Sequence, residues 1–146
     1  EPNRLFFLRQ GLCAYVINED SARSQIVGLI LPGRSMGDIT CITGQRVNVH
    51  TRALRDAEVL TLRPQILQDA IRADGEMALI IARDTVFKLE SMMEGMAINL
   101  SEAPASRLRL LLHALLAVHG GVQPGFNPLP LGLSTEELAA LIHATR

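Results

Sequence analysis

"GRSMGDITCITGQRVNVHTRAL" spans Gly33–Leu54. It has the outline of a phosphate cradle set between strands. A glycine, Gly37, is followed directly by a carboxylate, Asp38, then by a turn and by Arg46 at the head of an alternating segment. In that segment Val47, Val49, Thr51 and Ala53 fall on one face of a strand, and Asn48, His50, Arg52 and Leu54 on the other. Outward from this stretch, short apolar segments recur at close spacing. "RLFFLRQG" (4–11), "LCAYVIN" (12–18), "QIVGLIL" (25–31) and "AEVLTL" (57–62) read as strands. The polar run 18–24 and the pair Pro32-Gly33 read as turns between them. Short strands with glycine-rich turns predict an antiparallel β-roll of the double-stranded β-helix or jelly-roll kind over residues 1–63.

At Pro64 the period changes from two to 3.6. Proline suits the first position of a helix, where its missing N–H is not needed, and "PQILQDAIRAD" (64–74) reads as a short helix. A long helix follows from Glu76 to Leu100. Leu79, Ala82, Val86, Leu89, Met93, Met96 and Leu100 recur along it in steps of 3, 4, 3, 4, 3 and 4. This is a heptad seam, the pattern of a helix that pairs with a parallel twin. Ile80, Ile81 and Phe87 lie off the seam and are expected to face the chain's own sheet. Residues 64–100 therefore read as a dimerisation segment of a homodimer, with Gly95 a soft point. After Pro104, "SRLRLLLHALLAVHGG" (106–121) reads as a third helix closed by glycines. A turn-rich loop follows, and "LSTEELAALIHATR" (133–146) starts a fourth helix, with Ser134 or Thr135 as N-cap and Glu136-Glu137 at the positive end of its dipole.

Composition narrows the classes. The chain has 146 residues, 48% hydrophobic and 20% charged, enough to build a core and unlike a disordered segment. Aromatic residues make up only 3%, so aliphatic residues and methionines must fill the interior. A net charge of -1 gives no global nucleic-acid signature, although a local basic patch would suffice for DNA. Cys13 and Cys41 form no CxxC pair and fit a reduced, cytoplasmic protein, with redox sensing or simple burial as their two readings. No apolar run reaches the length of a membrane span, and no signal peptide is visible. No P-loop, HExxH or recognisable catalytic triad is present, so an enzyme is not expected. Both ends read as cut, and the expectation is part of a longer chain.

In this order the parts resemble the Crp/Fnr family of bacterial transcription regulators. "RLFFLRQG" is similar to that family's "LYFLxxG", "PGRSMGDI" (32–39) to its "PGxxFGE" and "LSTEELAALIHATR" to its "LTQEELAxLxGxTR". The resemblance implies an α+β chain: a β-roll sensor lacking an upstream strand pair, a long dimerisation helix, and a truncated winged helix-turn-helix over 101–146. It implies that Ser134 and Thr145 touch DNA phosphates and that Arg146, at the start of the recognition helix, contacts DNA.

The same resemblance assigns the opening stretch. Members that bind cyclic nucleotides use a Gly-Glu turn for the ribose, an arginine for the cyclic phosphate and a Thr-Ser pair on the long helix for the base. Aligned without gaps, Gly37 matches and Asp38 replaces the glutamate. Val47 takes the arginine position with Arg46 one place early, and Met92 and Met93 take the Thr-Ser pair. A gap within 42–49 would bring Arg46 back. The ungapped reading implies an effector pocket of Gly37, Asp38, Arg46, Met92 and Met93 that does not serve cyclic AMP. Apolar Met92 and Met93 would suit a flat ligand such as haem, with His50 as its candidate ligand. The competing class is a stand-alone ligand-binding or scaffold module without DNA-binding activity.

Overall fold

The structure, a computed structural model, describes residues 3–19, 24–118 and 131–144. Six strands and five helices follow one another: β1 (Leu5–Gln10), β2 (Cys13–Ile17), β3 (Gln25–Ile30), β4 (Ser35–Met36), α1 (Asp38–Thr43), β5 (His50–Ala53), β6 (Glu58–Leu62), α2 (Pro64–Ala73), α3 (Gly75–Ser101), α4 (Pro104–Val118) and α5 (Thr135–Leu141). The strands make two antiparallel sheets of three, in the orders β4-β1-β6 and β3-β2-β5. The expected α+β class with antiparallel sheets, a long helix and further helices is what the chain adopts.

The chain divides into two compact units, Glu1–Met92 and Met93–Arg146. Two apolar clusters hold the first. Leu8, Cys13, Ile30 and Met36 pack with Phe6 and Tyr15. Leu5, Cys41 and Leu67 pack with Leu62, Ile71 and Ile81, which ties α1, α2 and the start of α3 to β1 and β6. Burying such side chains stabilises a fold by roughly 1.5–3 kcal/mol each. The turn between β1 and β2 depends on Gly11, at φ 97: a Cβ there would lie 2.1 Å from the Asp56 carbonyl oxygen. Only glycine fits so close an approach in that conformation.

Three local expectations need correction. The alternating segment 46–54 is a strand only over His50–Ala53. Its partner β2 pairs Val16 with His50 and ends at Ile17, and Asn18 (φ 54) turns the chain away. Among the described residues, none continues the ladder beside residues 46–49. The cradle contains a helix the alternation did not suggest: Asp38–Thr43 winds into α1 between the left-handed glycines Gly37 and Gly44. On α3, Ile81 reaches the core as expected, but Ile80 is exposed, and Phe87 lies beneath the Arg34 guanidinium, 4.1 Å from its ring centre, instead of inside an apolar core.

In the second unit, Ser134 caps α5 by accepting from the Glu137 N–H at 3.1 Å, while the Glu137 carboxylate accepts from the Ser134 N–H at 2.7 Å. This reciprocal capping box fixes where α5 begins. Arg107 on α4 donates to the Ile142 carbonyl at 3.1 Å and so ties α4 to the far end of α5. His143 adopts φ 50 just past that end, the left-handed conformation usual for a helix-closing glycine.

Candidate functional site

The cradle is built by two short elements and one long one. β4 presents Ser35, Gly37 makes the turn, and Asp38 opens α1. Gly37 sits at φ 78, and a Cβ there would meet the Arg4 carbonyl oxygen at 2.5 Å, so the turn is as tight as the sequence suggested. Asp38 and Ser35 are buried polar residues. Buried polar groups need partners, and α3 supplies them.

Lys88 is the centre. Its ammonium lies 2.9 Å from Asp38 Oδ2 and 3.0 Å from Asp84 Oδ2, and it donates to Ser35 Oγ at 2.8 Å. It also donates to the Ser35 carbonyl at 3.4 Å, so four oxygens surround the ammonium. Ser35 Oγ donates in turn to Asp84 Oδ2 at 2.6 Å, and Thr85 Oγ1 donates to Asp38 Oδ2 at 3.1 Å. Arg34 pairs with Asp84 Oδ1 at 3.2 Å while stacked on Phe87. The Tyr15 hydroxyl donates to the Ser35 carbonyl at 3.4 Å. The Lys88 side chain is 15% exposed and that of Asp38 9%, so the pair is shielded from water.

Charge sets the protonation states. Burial pushes the Asp84 carboxyl up, but hydrogen bonds from Ser35 and Lys88, the Lys88 charge and the Arg34 hydrogen bond outweigh it, and its pKa lies below the usual value. Burial, then the charges of Asp38 and Asp84, push the Tyr15 phenol well above its usual range, so it stays a neutral donor. Two carboxylates face two cations, Lys88 and Arg34, and the cluster is charge-balanced. An incoming cyclic phosphate would find Lys88 and Arg34 already paired, and a ribose hydroxyl at Asp38 Oδ2 would compete with the Lys88 ion pair and the Thr85 hydrogen bond.

The other predicted pocket residues do not join the cluster. Arg46 is exposed in the coil after α1. Neither Arg46 nor Val47 lies on a strand, so the alternation of strand faces does not decide where either side chain points. Met92, one turn after Lys88, and Met93, on the heptad seam, are both exposed. His50 is half exposed, with Nδ1 3.5 Å from the Glu19 carboxylate. That is a surface contact, not a walled axial site, and the residues around His50 do not form a haem pocket. Among the described residues no group of three or more His, Cys, Asp or Glu side chains could hold a metal ion. Cys13 and Cys41 are buried free thiols whose pKa values burial raises, the opposite of an activated thiolate.

The seam residues Leu79, Ala82, Val86, Leu89, Met93, Met96 and Leu100 are all exposed, and no described residue of α3 is fully buried. Exposure reaches 57% at Leu89 and 85% at Leu100. Ser134 is in place as a cap, whereas Thr145 and Arg146 lie outside the described residues. Sequence reasoning missed Asp84 and Lys88. Their i, i+4 spacing on the face opposite the seam was a legible signal.

Comparison with known proteins bears on the family and the fold. Residues 1–74 match the family model for the cyclic nucleotide-binding domain. No curated protein matches the sequence. Among solved structures, FixK2 from Bradyrhizobium japonicum is similar over 99% of this chain and 70% of its own, at 20% identity and a TM-score of 0.79. The c-di-GMP responsive global regulator CLP of Xanthomonas campestris is similar over 99% and 73%, at 20% identity and a TM-score of 0.72. TTHB099, a CRP-family transcriptional regulator from Thermus thermophilus, is similar over 97% and 69%, at 19% identity and a TM-score of 0.71. The fold is thus that of the Crp/Fnr regulators, and the chain belongs to the cyclic nucleotide-binding domain family.

Proposed function

We propose that the chain is the sensor, dimerisation helix and beginning of the DNA-binding domain of a Crp/Fnr-type transcription regulator. It acts as a cytoplasmic homodimer, is not an enzyme and does not depend on a cyclic nucleotide. The observation that carries this reading is the heptad seam: its apolar residues are exposed while the opposite face of α3, through Ile81 and Lys88, meets the roll. A helix with one face engaged and a heptad stripe left open fits a twin helix. Residues 1–63 form the sensor roll, 64–100 the dimerisation segment and 101–146 a partial winged helix-turn-helix.

The capping box at Ser134 supports the DNA-binding part, because it starts a helix where the motif places the brace of a recognition helix. Ser134, Thr145 and Arg146 are the DNA contacts in this reading. No helix among the described residues is long and apolar enough to cross a membrane. The effector is a small molecule or a redox signal, with haem tested by the absorption spectrum of reconstituted protein and His50→Ala as its control.

The deciding experiment is footprinting with the full-length protein. The expected result is a two-fold symmetric protected site with half-sites one helical turn apart, roughly 34 Å. Arg146→Ala should weaken specific binding by about 1–3 kcal/mol. Absence of any symmetric footprint would favour a stand-alone binding or scaffold module.

A further inference from the structure

We propose that Arg107 is a positioning residue of the DNA-binding half: its one guanidinium holds the carbonyls at the ends of α3 and α5, so the turn that closes α5 takes its direction from the end of the long helix. This rests on the reading of the chain as a Crp/Fnr-type regulator. It goes further by naming the side chain that links the dimerisation helix to the DNA-binding helices.

Every residue involved lies within the second unit, 93–146. The end of a helix leaves carbonyl oxygens without partners and carries partial negative charge. Arg107 Nε donates to the Glu102 carbonyl, one residue past α3, at 2.7 Å. Its Nη1 donates to the Ile142 carbonyl, one residue past α5, at 3.1 Å. Arg107 is the fourth residue of α4, near the positive end, where that helix's own dipole disfavours a cation. Its charge is matched instead by the ends of two other helices. The guanidinium is planar and its donors keep fixed directions, so the two carbonyls are held in one relation to each other.

What is held at α5 is the exit of the chain. The N–H groups of Ile142, His143 and Ala144 donate back to the carbonyls of Leu138, Ala140 and Ala139 at 3.1, 3.2 and 2.9 Å. This closes α5 as a Schellman motif, with His143 at φ 50 where glycine is usual. A non-glycine residue keeps that conformation only when its surroundings hold it. The peptide unit between Ile142 and His143 is held from both sides, its N–H by Ala140 and its C=O by Arg107. Loosening the last turn of α3 frees the Glu102 carbonyl, and the fork carries that change to the peptide at which α5 ends.

Hydrogen exchange on the full-length protein tests this. Arg107→Lys keeps the charge and loses the fork. In it the amides of Ile142, His143 and Ala144 should exchange about tenfold faster, while those of β1 and β2 stay protected. Ala97→Gly loosens the end of α3. It should speed the same three amides about fivefold when Arg107 is present. In the Arg107→Lys background it should leave them unchanged, because the link is gone. Equal effects of Ala97→Gly in both backgrounds, or unchanged exchange in Arg107→Lys, would overturn the inference. If Arg107→Lys does not fold, Ala97→Gly alone decides: faster exchange at 142–144 supports the link and unmoved amides overturn it. A DNA measurement separates positioning from direct contact. In Arg107→Gln the ratio of specific to non-specific affinity should fall about tenfold with an unchanged salt slope. A slope smaller by about one would make Arg107 a phosphate contact and overturn its positioning role. The exchange readouts need no DNA. Uncoupled amides beside an intact symmetric footprint would sink this inference alone, and coupled amides with no symmetric footprint would sink the regulator reading alone.

Discussion

The Lys88 ammonium sits 2.9 Å from Asp38 Oδ2, so a cation from the long helix neutralises the carboxylate that follows the cradle glycine. The relationship ties the sensor's turn to the helix, and the acidic groups around it give a pH dependence with a definite sign. Among the described residues, Lys88, Arg34, Asp38, Tyr15 and Cys41 are titratable or charged groups that face Asp84 or its partners.

Asp84 has a depressed folded pKa. A depressed carboxylate binds protons more weakly when folded, so its contribution is fully present above the unfolded pKa, about 3.9. It fades below that value and is gone once the pH has fallen through the folded pKa. Urea midpoints of the parent and of Asp84→Asn should therefore differ at pH 6 and converge on acidification. A difference that persists unchanged to the acid limit would remove Asp84 from this role.

Gly11→Ala should be strongly destabilising, by about 2–4 kcal/mol, because strain and overlap add. Its Cβ would fall 2.1 Å from the Asp56 carbonyl oxygen at φ 97. Gly33, at φ 88, has nothing within 4 Å of such a Cβ, and Gly33→Ala should be the milder change. Denaturant unfolding of the two variants side by side provides the comparison. Equal midpoints would show that the β1–β2 turn yields.

The seam makes the strongest claim on assembly. Val86 and Leu89 are 54% and 57% exposed in the single chain. If they meet their twins, Val86→Glu/Leu89→Glu places like charges against each other across the axis. Sedimentation at micromolar concentration should show dimers for the parent and monomers for the variant. A variant that stays dimeric would place the interface elsewhere.

The ends of α5 offer opposite effects. Ser134→Ala removes the acceptor for the Glu137 N–H and should cost about 1 kcal/mol. His143→Gly relieves a left-handed residue at φ 50 and should add about 1 kcal/mol. Thermal unfolding should move down for the first and up for the second. Movement of both in the same direction would contradict the geometry of this turn.

The elements differ in how legible they were. β1, β2, β3 and β6 could be read because each is an apolar run bounded by turn residues, and α3 because its heptad steps hold from Leu79 to Leu100. The strand at 46–54 was overread: alternation shows which residues suit a strand but not whether a neighbour is there, and β2 ends at Ile17. α1 was missed because "DITCIT" has β-branched residues and no helical period, and its ends are set by two left-handed glycines. In the site, Gly37 and Asp38 were found from their own motif. The Asp84/Lys88 spacing was legible, but its link to the cradle was not, because Asp38 and Ser35 lie 50 and 53 positions from Lys88 in the chain.

Cyclic AMP gives the most direct challenge to the sensor. A nucleotide would need a free carboxylate for its ribose, a cation for its phosphate and polar groups for its base. Asp38 is engaged by Lys88 and Thr85. Lys88 and Arg34 are matched by Asp38 and Asp84. Met92 and Met93 hold the positions expected to meet the base and offer it no strong hydrogen bond. Arg46 is a cation outside the cluster, and it stands exposed in coil beyond α1. A ligand bound only to the folded state at 100 times its dissociation constant would add about 2.7 kcal/mol, easily seen as a higher melting temperature. Thermal unfolding in millimolar cyclic AMP or cyclic GMP should show no such rise, for the parent or for Arg46→Ala. The Lys88→Met/Arg46→Ala pair completes the test. A rise in the parent that is lost in Arg46→Ala would mean that the coil closes over the nucleotide and supplies the phosphate cation. A rise that appears only in Lys88→Met would mean that the cradle kept its capacity and that one lysine holds it shut.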